Sequence, residues 1–258
     1  MFGSTPRLGW KPNPPDPADY SVDRLGLGTP DPDVERVDLT TDLNEVLNQG
    51  STSSCVANAF AAAIDIRESL AGLSYIPASR LFMYYNARRY HSGHLFDGGT
   101  FIRAAAKGLT KLGVCNRSVW PFSTSRLTIC RRPSWAAYMK AYGRKGGAYY
   151  AIQDHGEDRV KAVRAALVAG FPIVFGTNVT RDFMNPRGPI VIDRPSPTAD
   201  YVGGHCMALV GFDGPRYMVL NSWGSGWRSG GVVWFTEDYL HALRDLTIVE
   251  GWARLQDE

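Results

Sequence analysis

The apolar positions of the chain change their spacing near its middle. From Ser54 to Ala71, Val56, Ala59, Phe60, Ala63 and Ile64 recur at helical intervals, Ser53 or Ser54 can cap the start, and Gly72 ends the run. A helix whose first turn contains Cys55 is expected. The same reasoning predicts helices over Ala78 to Arg89, over Thr100 to Leu112 with Thr100 as cap and Gly113 as stop, over Ser134 to Tyr142, and over Asp158 to Ala169 before Gly170. Beyond Gly170 the texture becomes that of strands. Ile173 to Val179, Cys206 to Phe212, Tyr217 to Ser222, Val232 to Thr236 and Thr247 to Arg254 are short runs rich in Val, Ile and aromatics, divided by Gly, Pro and Asp. Helices first and strands later predict an α+β fold rather than alternating βαβ units.

Residues 1 to about 38 follow neither period. They hold Pro6, Pro12, Pro14, Pro15, Pro17, Pro30 and Pro32 with no apolar repeat, so they cannot build a core of their own. The isolated large side chains Leu8, Trp10, Tyr20 and Leu25 suit docking on the rest of the molecule better than free solvation. The expected division is therefore an extension over 1–38 and a single large domain over 39–258, mainly helical over 39–150 and mainly β over 151–258.

Composition narrows the function classes. With 44% hydrophobic and 21% charged residues, the 258-residue chain can bury a sizeable core. A net charge of +3 and a pI near 8.7 are mild, and no dense run of Lys or Arg is interleaved with aromatics, so no nucleic-acid partner is indicated. No segment approaches the roughly 18 to 20 apolar residues of a membrane helix, and the opening residues lack the apolar core of a signal peptide. A soluble chain without a membrane partner is expected, with the compartment left open. Cys55, Cys115, Cys130 and Cys206 are too few and scattered for a disulfide framework or a paired metal site, so no metal or cofactor is indicated. Cys115 and Cys130 flank a loop-like stretch and could be bridged, two reduced thiols being the plainer alternative, and Cys206 reads as a small buried side chain.

Three separated stretches carry chemistry when taken together: Gln49 to Cys55, Gly203-Gly204-His205, and Asn221-Ser222-Trp223-Gly224. Only a thiolate attacks, and a helix N-terminus with an imidazolium partner favours it, so Cys55 is placed to be a nucleophile. A lone cysteine is more often packed in a core, but the polar loop from Gln49 to Ser54 argues for exposure. His205, beside two glycines that let backbone approach closely, would be the base. The other four histidines lie in polar surroundings with no such context. Asn221, at the end of the next strand of an apparent hairpin, can accept from the ring and fix its orientation, although an Asn at a strand end is ordinarily a turn former. Trp223 would cover that bond, and Gln49 would place a side-chain donor beside the Cys55 amide to form an oxyanion hole.

These motifs resemble the papain-like cysteine peptidases: Gln-Gly-Ser-x-x-Ser-Cys at 49–55, Gly-Gly-His at 203–205, and Asn-Ser-Trp-Gly-Ser-Gly-Trp at 221–227. Asp97-Gly98-Gly99 is similar to the family's glycine pair that lines the cleft and bonds substrate backbone. The likeness runs from about Asp38 to the C-terminus, and the small size and proline-rich opening are most similar to bacterial single-domain members. It implies two lobes, one helical and one a β-barrel-like sheet, with Cys55 and His205 facing each other across a cleft. Endopeptidase activity through an acyl-enzyme is implied with them. Gly98, Gly99, Thr100, Gly204 and Trp223 become the implied substrate-binding residues.

The chain departs from the family at Thr52, where many relatives carry a disulfide cysteine, and at Val56, where an aromatic is usual. In place of a long helical pro-domain stands the segment 1–38, expected to lie over or near the cleft and limit access as in a zymogen. A silent peptide-binding protein and an acyltransferase or transglutaminase-like enzyme are the competing readings. The expected partners are a peptide or protein substrate and the chain's own N-terminal segment, in a monomer. The pocket for the second substrate residue, bounded by Gly99, Thr100 and Phe101 on one side and Gly204 and Cys206 on the other, shows no charge in those stretches and is expected to prefer apolar or aromatic side chains.

Overall fold

The structure is a computed structural model that describes residues 6–91 and 96–254. The N-terminal stretch contributes three short strands, β1 (Trp10–Lys11), β2 (Tyr20–Ser21) and β3 (Arg36–Asp38). The helical part follows with α1 (Cys55–Leu70), α2 (Arg80–His91), strand β4 (Thr100–Phe101), α3 (Ile102–Leu112), α4 (Arg126–Cys130) and α5 (Trp135–Tyr142). Strands β5 (Arg144–Gly146) and β6 (Tyr149–Ala151) lead to α6 (Gly156–Val168), β7 (Ile173–Thr180), α7 (Arg181–Met184), β8 (Val191–Ile192) and β9 (Tyr201–Asp213). Strands β10 (Arg216–Leu220) and β11 (Val232–Thr236), helix α8 (Glu237–Leu240), β12 (Arg244–Val249) and β13 (Trp252–Arg254) complete the chain. The result is the α+β arrangement expected, with helices gathered in the first half and the main sheet in the second.

That sheet runs β2-β6-β12-β7-β9-β10-β11-β8. Strand β9 is its longest member, antiparallel to β7 from Ile173↔Leu209 to Thr180↔Tyr201 and to β10 from Leu220↔Ala208 to Arg216↔Asp213. Strand β3 pairs with its far end at Gly211 to Asp213. Helix α1 packs against β9, and its buried residues Ala57, Ala59, Ala61, Ala62 and Ala63 are small enough to let helix and strand approach closely. Burial of α1 on nearly every side explains why its apolar positions extend beyond one stripe.

Several element boundaries differ from expectation for identifiable reasons. Thr100 does not cap α3. Its N–H donates to the Gly9 carbonyl at 2.8 Å, so it belongs to the short β1–β4 pair, and α3 starts two residues later. Ser54 precedes α1 without capping it, because its hydroxyl bonds Thr52 and Asn58 instead. The last predicted strand is divided at Glu250–Gly251, where Gly251 adopts φ +39, and its second half pairs with β5. Ser134 caps α5 as expected, accepting from Ala137. All four cysteines are free thiols.

Residues 6–38 lie along the body of the molecule. Strand β1 runs parallel to β4, β2 parallel to β6, and Asp19 forms an ion pair with Arg103. Trp10 and Val22 are buried in the core. A second tie joins the helical part to β5. Arg144 donates to both oxygens of Glu68 at 2.6 Å and to the Ile76 carbonyl at 2.8 Å, with both charged side chains buried. Removing one partner of such a pair strands the other charge in a poorly solvating interior. Glu68→Ala is expected to lower stability by about 3 to 5 kcal/mol, read as a fall in the denaturation midpoint, whereas a loss below roughly 1 kcal/mol would mean the pair behaves as an exposed one.

Candidate active site

The loop that precedes α1 is shaped by hydrogen bonds from several elements. Arg80 of α2 donates to the Asn48 carbonyl at 2.9 Å and to Asn58 Oδ1 at 2.7 Å. Asn58 in turn bonds the carbonyl and hydroxyl of Ser54, and Thr52 Oγ1 donates to the Gln49 carbonyl at 2.8 Å. Asp97 accepts from the Ser53 N–H at 2.9 Å and from the Tyr84 hydroxyl at 2.7 Å, while that hydroxyl accepts from the Gly99 N–H. The consequence is a rigid turn that delivers Cys55 as the first residue of α1, where the helix dipole favours negative charge.

His205 lies within β9, fully buried, opposite Thr177 of β7. Its Nε2 is 2.8 Å from Asn221 Oδ1, and the same oxygen accepts from the Ser222 N–H at 2.7 Å. Asn221 follows the last residue of β10, so the β9–β10 hairpin sets the pair together. Trp223 stacks on the imidazole with ring centroids 4.7 Å apart and 27° between planes. Nδ1 has no hydrogen-bond partner and is buried. The backbone amide of Cys206, next in sequence to His205, lies against the Cys55 sulfur, while no hydrogen bond joins that sulfur to the His205 ring.

Gln49 is held from both ends. Its Oε1 accepts from Ser222 Oγ at 2.8 Å, and its Nε2 donates to the Thr52 carbonyl at 2.7 Å and to the Arg7 carbonyl at 2.8 Å. The group foreseen as a donor to an oxyanion thus meets a carbonyl of the N-terminal segment. That segment threads between Gly99, Thr100 and Gly204. Gly9 donates to the Gly204 carbonyl at 3.1 Å and accepts from Thr100 at 2.8 Å. A Cβ at Gly99 would come within 2.1 Å of the Gly9 oxygen and one at Gly204 within 2.5 Å of the Trp10 oxygen, so both positions require glycine. Gly98 instead turns toward the Phe96 ring.

The expected exposure of Cys55 is corrected by this arrangement. Cys55, Gln49, Thr52, Ser53 and Ser54 are buried because Gly9 lies on the Ser53 carbonyl and closes the polar loop from above. The side chain of Trp10 fills the space between Gly176 and Gly204, and its Nε1 donates to Asp245 Oδ2 at 3.0 Å. Asp245 is a charged group that the motif reading missed, since it lies far along the chain from the stretches that bound the pocket. It sits at φ +56, a conformation that aspartate tolerates, beside a register shift in β12, and it also accepts from the Asn13 N–H. The sequence signal available for it was only an acidic residue two positions before the strand predicted from Thr247.

Burial governs the ionisation of the pair. It pushes the Cys55 thiol up to about 11, against the opposing amides of Cys206, Gly9, Val56 and Cys55 itself. It pushes His205 down to about 4, against the opposing bond to Asn221. Both groups are therefore neutral at pH 7 while the segment is in place.

Comparisons with known proteins bear on the family and the fold. A family model described as "Papain family cysteine protease" matches residues 33–242. The chain is 32% identical to an uncharacterized peptidase C1-like protein, L477, of Acanthamoeba polyphaga mimivirus, over 84% of this chain and 71% of that one. It is 27% identical to the cathepsin B-like CP2 of Giardia intestinalis, over 72% of this chain and 62% of that one. The crystal structure of xylellain, a cysteine protease from Xylella fastidiosa, superposes with a TM-score of 0.84 at 29% identity, covering 97% of this chain and 98% of the other.

The neutral pair has a measurable signature. In the intact chain, His205 should stay uncharged at pH 5 in a nuclear magnetic resonance titration and gain its proton only near pH 4. Because the unfolded imidazole binds that proton near 6.5, acidification between about 6.5 and 4 favours the unfolded chain, and this contribution to stability falls as pH falls. A His205 midpoint at or above 6.5 would contradict the burial argument.

Proposed function

The chain belongs to the papain family of cysteine proteases and is a cysteine peptidase; on that premise we propose that it is an endopeptidase whose nucleophile is Cys55, served by His205, Asn221 and Gln49. The observation that carries this assignment is the 2.8 Å bond from His205 Nε2 to Asn221, which leaves the buried Nδ1 as the nitrogen free to exchange a proton with a sulfur at the start of α1. In the proposed cycle the thiol gives its proton to Nδ1 and the thiolate attacks the substrate carbonyl. The oxygen that becomes negative is received by Gln49 Nε2 together with the Cys55 amide. The imidazolium then protonates the leaving amine, an acyl-enzyme remains, and water attacks it with the same imidazole as base. Asn221 keeps the ring in the useful orientation, and the stacked Trp223 keeps water from their bond.

The second element of the proposal is that residues 7–10 limit access. Four features support it: the Arg7 carbonyl on Gln49, Gly9 bonded to both walls, Trp10 in the pocket, and a thiol and imidazole kept neutral beneath them. The segment uses the same Thr100 and Gly204 backbone groups expected to grip a substrate, so the two compete. Withdrawal of the segment would readmit water and lower the cost of the thiolate-imidazolium pair. The pocket that holds the Trp10 indole would accept an aromatic second residue, and Asp245 would add tolerance for a side chain that ends in an N–H donor.

Labelling with a thiol-directed epoxide peptidase inhibitor tests the nucleophile: Cys55→Ala should abolish both labelling and peptide hydrolysis, and retained hydrolysis would discard the assignment. Gln49→Ala is expected to lower kcat by about 10² to 10³. Trp10→Ala should raise peptide hydrolysis by at least about tenfold, because truncating a buried Trp weakens its docking by roughly 3 to 5 kcal/mol; an unchanged rate would remove the blocking role. A fluorogenic library should give aromatic residues first at the second position, and a dominant acidic preference there would contradict the pocket described.

A further inference from the structure

Charge is unevenly distributed along this chain. Between Gly98 and Gln153 there is no Asp or Glu, yet this stretch holds 10 of the 28 Lys and Arg residues. Four of the ten reach carboxylates elsewhere: Arg103 to Asp19, Lys107 to Asp16, Arg117 to Glu45, and Arg144 to Glu68. The other six, Lys111, Arg126, Arg131, Arg132, Lys140 and Lys145, form no ion pair among the described residues. Residues 131–145 hold five of the ten cations together with the rings of Trp135, Tyr138 and Tyr142.

Helix α5 organises part of this stretch. Its Ala137 and Ala141 face the core, while Trp135, Met139 and Tyr142 stand on the opposite side at helical spacing, 78%, 57% and 63% exposed. A shallow groove of about 450 Å³ is lined by Leu112, Arg132, Trp135, Tyr138, Met139 and Tyr142. Lys145 lies over the Tyr142 ring at 3.6 Å, Lys140 projects from α5, and Lys111 adjoins Leu112. Large apolar side chains this exposed, ringed by cations without counter-ions, are not what a solvated helix face needs.

We propose that this face of α5, with Leu112 and the Arg131–Arg132 pair, docks on the surface of an anionic phospholipid bilayer. The cations match the headgroup phosphates, each contributing about fivefold in partition. Trp135 and Tyr142 carry the amphipathic rings that settle at the headgroup level, and Met139 enters the acyl boundary. Nucleic acid fits less well: the Tyr142 ring is already covered by Lys145 and the Trp120 ring by Arg131, and Met139 gains nothing from a base. The docking is peripheral, since among the described residues no helix is long and apolar enough to cross a membrane. Helix α3 carries the patch at its Leu112 end and the cleft strand β4 at its start, about 15 Å away along the axis.

The test is sedimentation of the full chain with vesicles of phosphatidylcholine alone or mixed with phosphatidylglycerol. Binding only to the mixed vesicles, weakened by salt, is expected. The triple variant Arg131→Glu, Arg132→Glu, Lys140→Glu should lose at least about tenfold of that partition, and Trp135→Ala should weaken it while leaving the far-ultraviolet circular dichroism spectrum and peptide hydrolysis in solution unchanged. No binding to mixed vesicles, equal binding to both kinds, or variants that bind as the parent does would each overturn the proposal. So would tight binding to single-stranded DNA or to soluble polyglutamate without sedimentation of the vesicles.

Discussion

The close packing of α1 on β9 is the constraint from which the rest follows. Alanines on the helix allow its first residue to reach the strand, and the Cys206 amide against the Cys55 sulfur records how near that approach is. A larger residue at Ala59 or Ala62 would part the two elements before it disturbed any polar group. The polar framework only refines what this packing establishes. Arg80, Asn58 and Asp97 hold the loop, and the β9–β10 hairpin holds Asn221 to His205.

The N-terminal segment turns this packed junction into a closed one. Three backbone contacts at Gly9 and Arg7 take up the groups that would otherwise face solvent, and the Trp10 indole reaches Asp245 beneath them. Burying a thiol and an imidazole without a strong counter-charge drives both toward their neutral forms. Under the proposed blocking role, access and ionisation are linked, since the residues that would exclude a peptide also exclude the water on which charge separation depends.

The sequence made the elements that rest on periodicity readable: α1, α5, β7, β10 and β11 begin and end near the predicted residues because apolar spacing, Ser134 and the glycines act locally. Thr100 shows where that stops. Its role depends on Gly9, some ninety residues away, and no local pattern could turn a plausible cap into half of a strand pair. The burial of Cys55 was hidden for the same reason, since a polar loop reads as exposed until another segment is known to lie on it. Cys55, His205, Asn221 and Gln49 were legible as motifs. Asp245 and the Arg80–Asn58 support were not, being single residues whose meaning comes from contacts across the fold.

Residues 7–10 are proposed to occupy the same backbone sites in the cleft that a substrate would use. Amide hydrogen exchange at Gly9, Lys11 and Thr100, before and after covalent modification of Cys55 by a peptide epoxide, tests this directly. Release of the segment by the modifier predicts that Gly9 and Lys11 lose protection while Thr100, now bonded to the inhibitor, keeps it. Undiminished protection at Gly9 in fully modified protein would contradict the claim.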